Sequence, residues 1–222
     1  MRALVVYWRP EPQSFNAALF RIAGETLSSA GQEVVTSDLW AMGFEAASTS
    51  ADFTSVRDSG FFKPQAEEMH ASKEGGFAPE IDAELRKLEA CDLMIWQFPL
   101  WWFGVPAVLK GWVDRVFAMG RIYCGGRLYE KGVLRGKRAM LSLTTGGPQA
   151  AYARGGVHGD LLGILRPIHR GILQFVGFDV LAPHVIYGPA CMTAEERQAR
   201  LAGYAERLKA IDREAPIEVG EY

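Results

Sequence analysis

The stretch DLMIWQFPLWWFGVPAVLKGWVDRVF, residues 92–117, holds one complete unit of an alternating α/β pattern. Its first part, residues 92–98, is an apolar run that predicts a strand buried on both faces. Its last part, extended to residues 104–118, has a proline near its first turn and then apolar residues at helical spacing. Between the two, three large aromatic residues (101–103) occupy a loop, although loops usually run over the surface. The stretch therefore predicts a strand, an aromatic loop at its carboxyl end, and a helix.

The same alternation continues along the rest of the 222 residues. Parallel strands need crossover connections, and helical crossovers bury both faces of a sheet. The pattern therefore predicts one α/β domain over residues 1–222, a doubly wound five-stranded parallel sheet in the order 2-1-3-4-5 with helices on both faces. The segment 43–77 is unusually long for a connection, so we expect it to be functional or to pair with another chain. The other strands are predicted at residues 3–8, 33–39, 138–145 and 178–187, and the other helices at residues 15–29, 79–90, 159–175 and 193–212.

The composition narrows the classes of partner and compartment. A formal charge of -2 and an isoelectric point near 6.1 argue against nucleic acid or an anionic membrane surface as the main partner. Cys91, Cys124 and Cys191 are scattered and form no C-x-x-C pair, which favours reduced thiols over disulfides or a zinc site. We find no secretory signal and no stretch of membrane-spanning length, so we expect a soluble, cytoplasmic protein.

Three loops of the predicted sheet are candidates for a binding site. In open parallel sheets, ligands lie beyond the carboxyl ends of the strands, where the strand order reverses. In the order 2-1-3-4-5, the loops after the first, third and fourth strands meet at one edge. These loops are WRPEPQSFN (8–16), FPLWWFG (98–104) and TTGG (144–147). We therefore expect the aromatic loop to face a site at this edge.

Each of these loops offers a different chemistry. Ser14 is a candidate N-cap, so the backbone N–H groups and dipole of the next helix could hold a phosphate or pyrophosphate, with added charge from Arg9. Trp102 and Phe103 offer flat apolar faces for a planar ring. The Thr144–Gly147 turn offers hydroxyl groups and N–H groups without Cβ atoms at the glycines. Phosphate and a flat heterocycle together indicate a flavin nucleotide.

Plainer interpretations exist for each feature taken alone. A serine N-cap is most often only a cap, large aromatic residues often belong to a core or a dimer interface, and Gly-Gly after a strand is most often a plain turn. What favours a site is the coincidence of all three at the ends of the first, third and fourth strands.

Several motifs of other enzyme classes do not occur. There is no G-x-G-x-x-G after a strand, and RGKRAM has the Gly-Lys pair of a phosphate-binding loop without the rest. No H-E-x-x-H or G-x-S-x-G is found. A resident nicotinamide-binding Rossmann domain, an NTPase, a metallohydrolase and a serine hydrolase are therefore disfavoured, and no metal site is expected. His70, His169 and His184 are interpreted as surface histidines or hydrogen-bonded core histidines.

Five long segments of the chain carry a family resemblance, namely PEPQSFN (10–16), KLEACDLMIWQFPLWWFGVPAVLKGWVDRVF (87–117), YEKGVLRGKRAMLSLTTGG (129–147), GVHGD (156–160) and GILQFVGFDVLAP (171–183). They resemble the NAD(P)H:quinone oxidoreductase (DT-diaphorase) family of flavoproteins, in a short form without the C-terminal extension of the longer animal enzymes. The resemblance covers nearly the whole chain. It implies a flavodoxin-like fold, a tightly bound FAD rather than FMN, and a homodimer with the active site at the subunit interface. It also implies ping-pong, two-electron reduction of quinones by NADH or NADPH.

The resemblance also implies roles for individual residues. Tyr152 and His158 match a proton-relay pair, in which the tyrosine also touches the flavin. Phe175 and the partner subunit's Tyr123 match residues that cover the open face of the ring. The implied FAD site comprises Arg9, Ser14, Phe15, Asn16, Pro99, Leu100, Trp101, Trp102, Phe103, Thr144, Thr145, Gly146, Gly147 and, at the adenine half, Arg197. The implied substrate site comprises Trp102, Phe103, Tyr123, Gly125, Gly146, Gly147, His158 and Phe175.

The chain departs from the family at three of these positions. Arg9 stands where better-known members have histidine, and Trp101 replaces a glutamine beside the flavin. Gly125 replaces a second active-site tyrosine, which predicts a wider pocket. The same site would also serve an azo-dye, drug or nitro-compound reductase. A flavodoxin-type electron carrier is a more distant alternative, because the loop after the first strand has one serine and no threonine.

Overall fold

Strands and helices alternate along residues 1–221, the part of the chain that the computed structural model describes. Tyr222, the last residue of the predicted domain, lies outside the described residues. The strands are β1 (Arg2–Tyr7), β2 (Glu33–Asp38), β3 (Leu93–Pro99), β4 (Arg138–Thr145), β5 (Asp179–Val180) and β6 (His184–Tyr187). The helices are α1 (Phe15–Ser29), α2 (Pro64–Glu74), α3 (Pro79–Ala90), α4 (Ala107–Val116), α5 (Leu161–Ile168) and α6 (Ala194–Lys209).

The sheet confirms the predicted parallel order. Its strands run β2-β1-β3-β4-β5, and β6 pairs with the later part of β4. Two apolar clusters cover its faces. One contains Leu19 of α1 and Leu208 of α6, and the other contains Leu85 of α3, Trp112 of α4 and Leu165 of α5. Helices therefore pack on both faces, as the doubly wound pattern predicts.

The last predicted strand, residues 178–187, is wrong as one continuous element, because the structure divides it into β5 and β6. Arg138 of β4 is opposite Asp179, whereas Ser142 is opposite His184, so one extra residue is inserted between the two pairings. Such an insertion interrupts a ladder, and Pro183 lies in the gap without an N–H group to donate.

Two helices also differ from the predictions. α2 lies inside the segment 43–77, in which no helix was predicted. Its sequence, PQAEEMHASKE, has no continuous apolar face, so periodicity does not reveal it. The helix predicted at residues 159–175 begins after Asp160, which caps α5, and continues beyond it as a π-helix, His169–Gln174. Pro167 removes one backbone donor just before the change.

Two of the histidines that we interpreted as surface or hydrogen-bonded core residues differ from that interpretation. His169 is buried, and its Nε2 has no hydrogen-bond partner among residues 1–221, so it is not a hydrogen-bonded core histidine at that atom. His184 is half-buried, its Nε2 likewise has no partner in the described chain, and its ring stacks on Tyr204 at 4.2 Å. Burial lowers the pKa of each imidazole to about 4. Neither histidine belongs to a metal site, since residues 1–221 contain no group of three or more His, Cys, Asp or Glu side chains that could hold a metal ion.

The helices of the described chain give no candidate membrane span, since none is both long and apolar enough.

Candidate active site

A cleft of about 510 Å³ lies at the carboxyl edge of the sheet, where β1, β3 and β4 end. Eleven of the residues implied for the FAD site line it together. The sequence therefore predicted which loops meet at this edge. Those eleven are Arg9, Ser14, Phe15, Asn16, Pro99, Leu100, Trp101, Thr144, Thr145, Gly146 and Arg197.

The first turn of α1 forms one end of the cleft. Ser14 has extended backbone angles, and its side chain accepts a hydrogen bond from the Ala17 N–H at 3.2 Å. This is the N-cap that the sequence predicted. The Ala18 N–H is bonded to the Ser14 carbonyl at 3.1 Å, so the N–H groups of Phe15 and Asn16 are left for a ligand. Together with the helix dipole, they form an anion-binding end.

A buried chain of side-chain hydrogen bonds fixes the floor of the cleft. Gln97 of β3 donates through Nε2 to Oδ1 of Asn16 at 2.9 Å, and Asn16 donates through Nδ2 to the Thr144 hydroxyl at 2.8 Å. All three residues are buried. Because a buried amide loses free energy when it is left unbonded, this chain holds the start of α1 against the ends of β3 and β4. The Thr145 hydroxyl donates to the Gly147 carbonyl at 2.8 Å and folds the following turn.

Two arginines supply positive charge to the cleft. The Arg9 guanidinium lies 5.5 Å from the centre of the Trp101 ring, and its buried Nε has no hydrogen-bond partner within residues 1–221. Arg197 of α6 is held by the carbonyl of Met192, to which Nη1 donates at 2.5 Å. A buried donor without an acceptor inside an open cleft fits an anionic ligand, so the residues present suit a pyrophosphate.

The aromatic loop closes as a tight turn. Trp101 and Gly104 exchange backbone hydrogen bonds of 3.1 and 2.9 Å, and the two residues between them are left-handed, with φ of 51° at Trp102 and 58° at Phe103. This conformation costs of order 1–3 kcal/mol at each such residue and is often found at functional sites. The turn directs the Trp102 side chain outward, where it is 98% exposed. In one chain, Trp101 therefore lines the cleft, and Trp102 and Phe103 do not.

A second group of predicted residues lies next to the turn formed by residues 144–147. The Tyr152 and His158 rings are 4.8 Å apart, and the Phe103 ring is 5.5 Å from that of His158. A Cβ added to Gly147 would lie 3.4 Å from the Tyr152 ring, so this glycine is in contact range of the pair. Tyr152 is buried. The sequence-predicted pair is therefore brought together beside the cleft rather than among the residues that line it.

The remaining substrate residues lie at the other end of the sheet. Phe175 comes four residues before β5, whose first residue pairs with the first residue of β4. The Tyr123 ring contacts Phe175 at 5.7 Å, and both residues line a separate cleft of about 320 Å³. Burial raises the pKa of Tyr123. Gly125 is exposed in the same loop, with open space where a Cβ would stand. In one chain these residues are therefore at the amino edge, not over the first cleft.

Sequence reasoning missed three residues that line the first cleft, namely Glu11, Pro189 and Ala190. Glu11 lies inside the loop that was considered, but nothing in its type marks it. Pro189 and Ala190 follow β6, and Gly188 has a left-handed φ of 59°. A glycine and a proline directly after the last strand are a turn signal, so this loop could have been included.

Comparisons with known proteins agree with this architecture. The family model described as a flavodoxin-like fold matches residues 1–211. NAD(P)H dehydrogenase [quinone] 1 of Rattus norvegicus is 45% identical over 97% of this chain and 79% of its own length. Ribosyldihydronicotinamide dehydrogenase [quinone] of Homo sapiens is 42% identical over 97% of this chain and 94% of its own length. A crystal structure of a candidate quinone reductase from Klebsiella pneumoniae superposes with a TM-score of 0.91 at 38% identity, covering 98% of this chain and 87% of that one.

The fold and the carboxyl-edge cleft thus define a flavodoxin-like protein. Identities above 40% with dehydrogenases [quinone] over almost the whole chain narrow this class to one family. The chain belongs to the NAD(P)H:quinone oxidoreductase family, which confirms the resemblance seen in its sequence.

Proposed function

We propose that this protein is an FAD-dependent oxidoreductase that reduces quinones by two electrons, with NADH or NADPH as the donor, in a ping-pong reaction. The observation that carries the proposal is the carboxyl-edge cleft, which combines an anion-binding helix end, a tryptophan wall and an open glycine turn in one space. Relatives named for quinone dehydrogenation over almost the full chain support the choice of acceptor.

The ends of the cleft favour FAD over FMN. The α1 end supplies the two N–H groups and Arg9 for a pyrophosphate, and Arg197 with Pro189 and Ala190 extends the lining beyond it. FMN has one phosphate and no adenine, so it would leave this extension without a ligand group. We therefore assign Arg197 to the adenine half of FAD.

A bound FAD would accept a hydride from a nicotinamide and deliver two electrons to a quinone. The buried chain from Gln97 through Asn16 to Thr144 would keep the floor of the site rigid during both half-reactions. Gly146 would let the ring approach the backbone, because a Cβ there would point into open space. Trp101 would cover one face and exclude water.

Tyr152 and His158 are the proposed proton relay. A phenol can donate a hydrogen bond or a proton, and an imidazole can hold a positive charge near neutral pH. Their rings are 4.8 Å apart beside Gly147, which suits a pair acting on one proton. A donor placed where negative charge develops stabilises the transition state of hydride transfer.

The amino-edge group supports a homodimer with shared active sites. β4 has eight residues, so its two ends are roughly 25 Å apart at about 3.3 Å per residue. Tyr123 and Phe175 contact each other at one end, and the cleft is at the other. We therefore propose that both residues, and not Tyr123 alone, act on the partner's cofactor. The exposed Trp102 and Phe103 would form the other wall of that substrate slot.

The free thiols of Cys91, Cys124 and Cys191 are compatible with a reducing compartment, and we propose the cytoplasm. This assignment is independent of the chemistry. Fractionation of the source cells with an antibody against the protein tests it, and recovery in an extracellular or membrane fraction would contradict it.

The cofactor and the acceptor can be tested on one preparation of the purified protein. Heat release and chromatography should yield FAD, and FMN alone would overturn the adenine assignment. Steady-state rates with a quinone, an azo dye and a cytochrome should be highest for the quinone, with parallel double-reciprocal lines for a ping-pong reaction. Faster reduction of the azo dye than of the quinone would contradict the quinone as the preferred acceptor. Electron transfer to the cytochrome alone would indicate an electron carrier.

A further inference from the structure

A further cleft, of about 550 Å³, lies at the amino edge of the sheet. It shares no lining residue with the carboxyl-edge cleft. Its walls are the loop 129–135, which precedes β4, and the segment 170–179, which leads from the π-helix into β5. None of the roles assigned above uses this space.

The two walls of this cleft are locked together. A Cβ on Gly132 would lie 2.4 Å from the Val176 carbonyl, and a Cβ on Gly177 would lie 2.9 Å from the backbone of Gly132. Only glycines allow such an approach. The Leu134 N–H donates to the Val176 carbonyl at 2.9 Å, and the Tyr129 N–H donates to the Phe175 carbonyl at 3.0 Å. The cleft is therefore preformed, so little ordering is needed when a ligand binds.

Positive charge predominates in the cleft. Lys131, Arg135 and Arg170 line it, and within residues 1–221 none of them forms a salt bridge. Two carboxylates, Glu130 and Asp179, also line it, but neither is paired with a cation in the described chain. The three cations therefore keep donors free for an anion, and arginine presents them in a geometry that matches phosphate.

Arg170 is held in place by an aromatic ring. Its guanidinium carbon lies 4.4 Å from the centre of the Tyr129 ring, and Nη1 donates weakly to Gln174 at 3.4 Å. Tyr129 itself has a left-handed backbone, with φ of 52°, a conformation that is often found in functional regions. The other neighbour of the Tyr129 ring is Phe175, at 5.6 Å and an interplanar angle of 80°. One tyrosine thus separates the cationic cleft from the aromatic group proposed to cover the cofactor.

We propose that the cleft around Lys131, Arg135 and Arg170 binds a phosphate group, and that during turnover this group is the 2′-phosphate of NADPH. The second part rests on the proposed function, because it needs the nicotinamide to lie against Phe175 in the shared site. The Arg170 guanidinium is within about 10 Å of the Phe175 ring, since both flank Tyr129 at 4.4 and 5.6 Å. One dinucleotide could therefore contact both. The cleft would then give the enzyme a preference for NADPH over NADH.

The binding arm of the test does not depend on turnover. Calorimetric titration of the FAD-loaded protein with inorganic phosphate, NADP⁺ and NAD⁺ should show that phosphate binds and that NADP⁺ binds about tenfold more tightly than NAD⁺. Arg135→Gln and Arg170→Gln should remove that difference, and Arg170→Lys should restore part of it. Arg213→Gln removes an exposed arginine that does not line the cleft, so it is the matched control and should behave as the wild type.

The kinetic arm measures the ratio of KM for NADH to KM for NADPH. Arg135→Gln should lower this ratio about tenfold by raising KM for NADPH, because charge-assisted contacts to the phosphate are lost. If phosphate fails to bind the wild type, or binds equally to both glutamine variants, the anion site is overturned. If phosphate binding is lost in the variants while the kinetic ratio stays constant, the 2′-phosphate assignment is overturned. A protein with no quinone reductase activity would refute the proposed function and leave the phosphate titration to decide the site.

Discussion

The carboxyl and amino edges of the sheet carry the two halves of the proposed active site, and they differ in how completely one chain builds them. At the carboxyl edge, a capped helix, a buried hydrogen-bond chain and two arginines form a continuous cleft. At the amino edge, Tyr123 and Phe175 contact each other and line a separate, smaller cleft that shares no lining residue with the first. The difference teaches that strand order alone assembles the residues of the carboxyl-edge cleft, and it is the reason why we propose that a second copy of the chain completes the substrate half.

The largest effect is expected from a substitution that fills the carboxyl-edge cleft, which is the cofactor half of the proposed site, and leaves the amino edge unchanged. Gly146 has a backbone that other residues adopt, and its Cβ would meet nothing within 4 Å, so Gly146→Leu should fold normally and place its side chain in the cleft. We expect FAD affinity to fall more than about a hundredfold, since the leucine side chain would occupy volume in the cleft that the cofactor needs. Fluorescence titration with FAD measures this. Gly24→Leu, at a helical glycine with the same open space, is the control, and equal FAD affinity in both variants would contradict the cleft assignment.

A smaller effect is expected from the relay beside that cleft. Tyr152→Phe and His158→Gln should slow flavin reduction by NAD(P)H about a hundredfold while FAD stays bound, because general acid–base groups contribute about that much to rate. The double variant should be little slower than the poorer single variant, since residues that act as a unit are not additive. Stopped-flow bleaching of the flavin absorbance at saturating nicotinamide gives the rates. Unchanged rates in both single variants would remove the relay from the mechanism.

A still smaller effect is expected at the amino edge. Tyr123→Ala and Phe175→Ala should lower kcat/KM for the quinone about tenfold and leave FAD affinity unchanged, because loss of an aromatic face weakens binding of a flat ligand by a few kcal/mol at most. Tyr123→Phe keeps the ring and should retain most of the activity. Loss of FAD from the alanine variants would place these residues in the cofactor half and break the division between the two edges.

The last effect concerns stability rather than activity, and it does not distinguish the two edges. Burial lowers the pKa of His169, at the start of the π-helix, to about 4 from an ordinary 6.5. The folded state therefore disfavours the proton that the unfolded chain accepts, so His169 stabilises the fold fully above about pH 6.5. As the pH falls to about 4, up to ~3 kcal/mol should be lost, with no further loss from this group below that.

Urea unfolding between pH 7 and pH 4 measures that loss. His169→Gln cannot take up a proton at this position, so its free energy of unfolding should fall less steeply than that of the wild type over this range. Parallel slopes for His169→Gln and the wild type would show that His169 does not carry the acid sensitivity.

Most of the cofactor half could be predicted from sequence. Ser14 lies in the loop after β1, and Thr144 lies at the end of β4. The apolar runs of both strands are clear, and the parallel order brings the strand ends together. Trp102 was harder, because a turn with two left-handed residues directs its side chain away from the cleft. Residues after β6 were missed because the last strand is interrupted at a proline.

The substrate half could not be predicted in full. Helical crossovers return the chain to the amino edge, so Phe175, near the start of β5, cannot cover the cleft of its own chain. The family resemblance named this residue but assigned only Tyr123 to the partner subunit. The contact between the Tyr123 and Phe175 rings places the two residues in one group, which the sequence alone does not reveal. α2 was also missed, because a polar helix has no apolar periodicity to detect.

The central claim is that each active site joins the cofactor half of one chain to the substrate half of the other. It is tested most directly by co-expressing Gly146→Leu with the double variant Tyr123→Ala/Phe175→Ala, each with its own affinity tag, and isolating the mixed dimer. Both parent homodimers should be nearly inactive with the quinone. In the mixed dimer, one site would combine an intact cleft with intact aromatic residues, so about half of the wild-type activity is expected. Activity no higher than the mean of the two parents would show that each chain builds its site alone and would contradict the account.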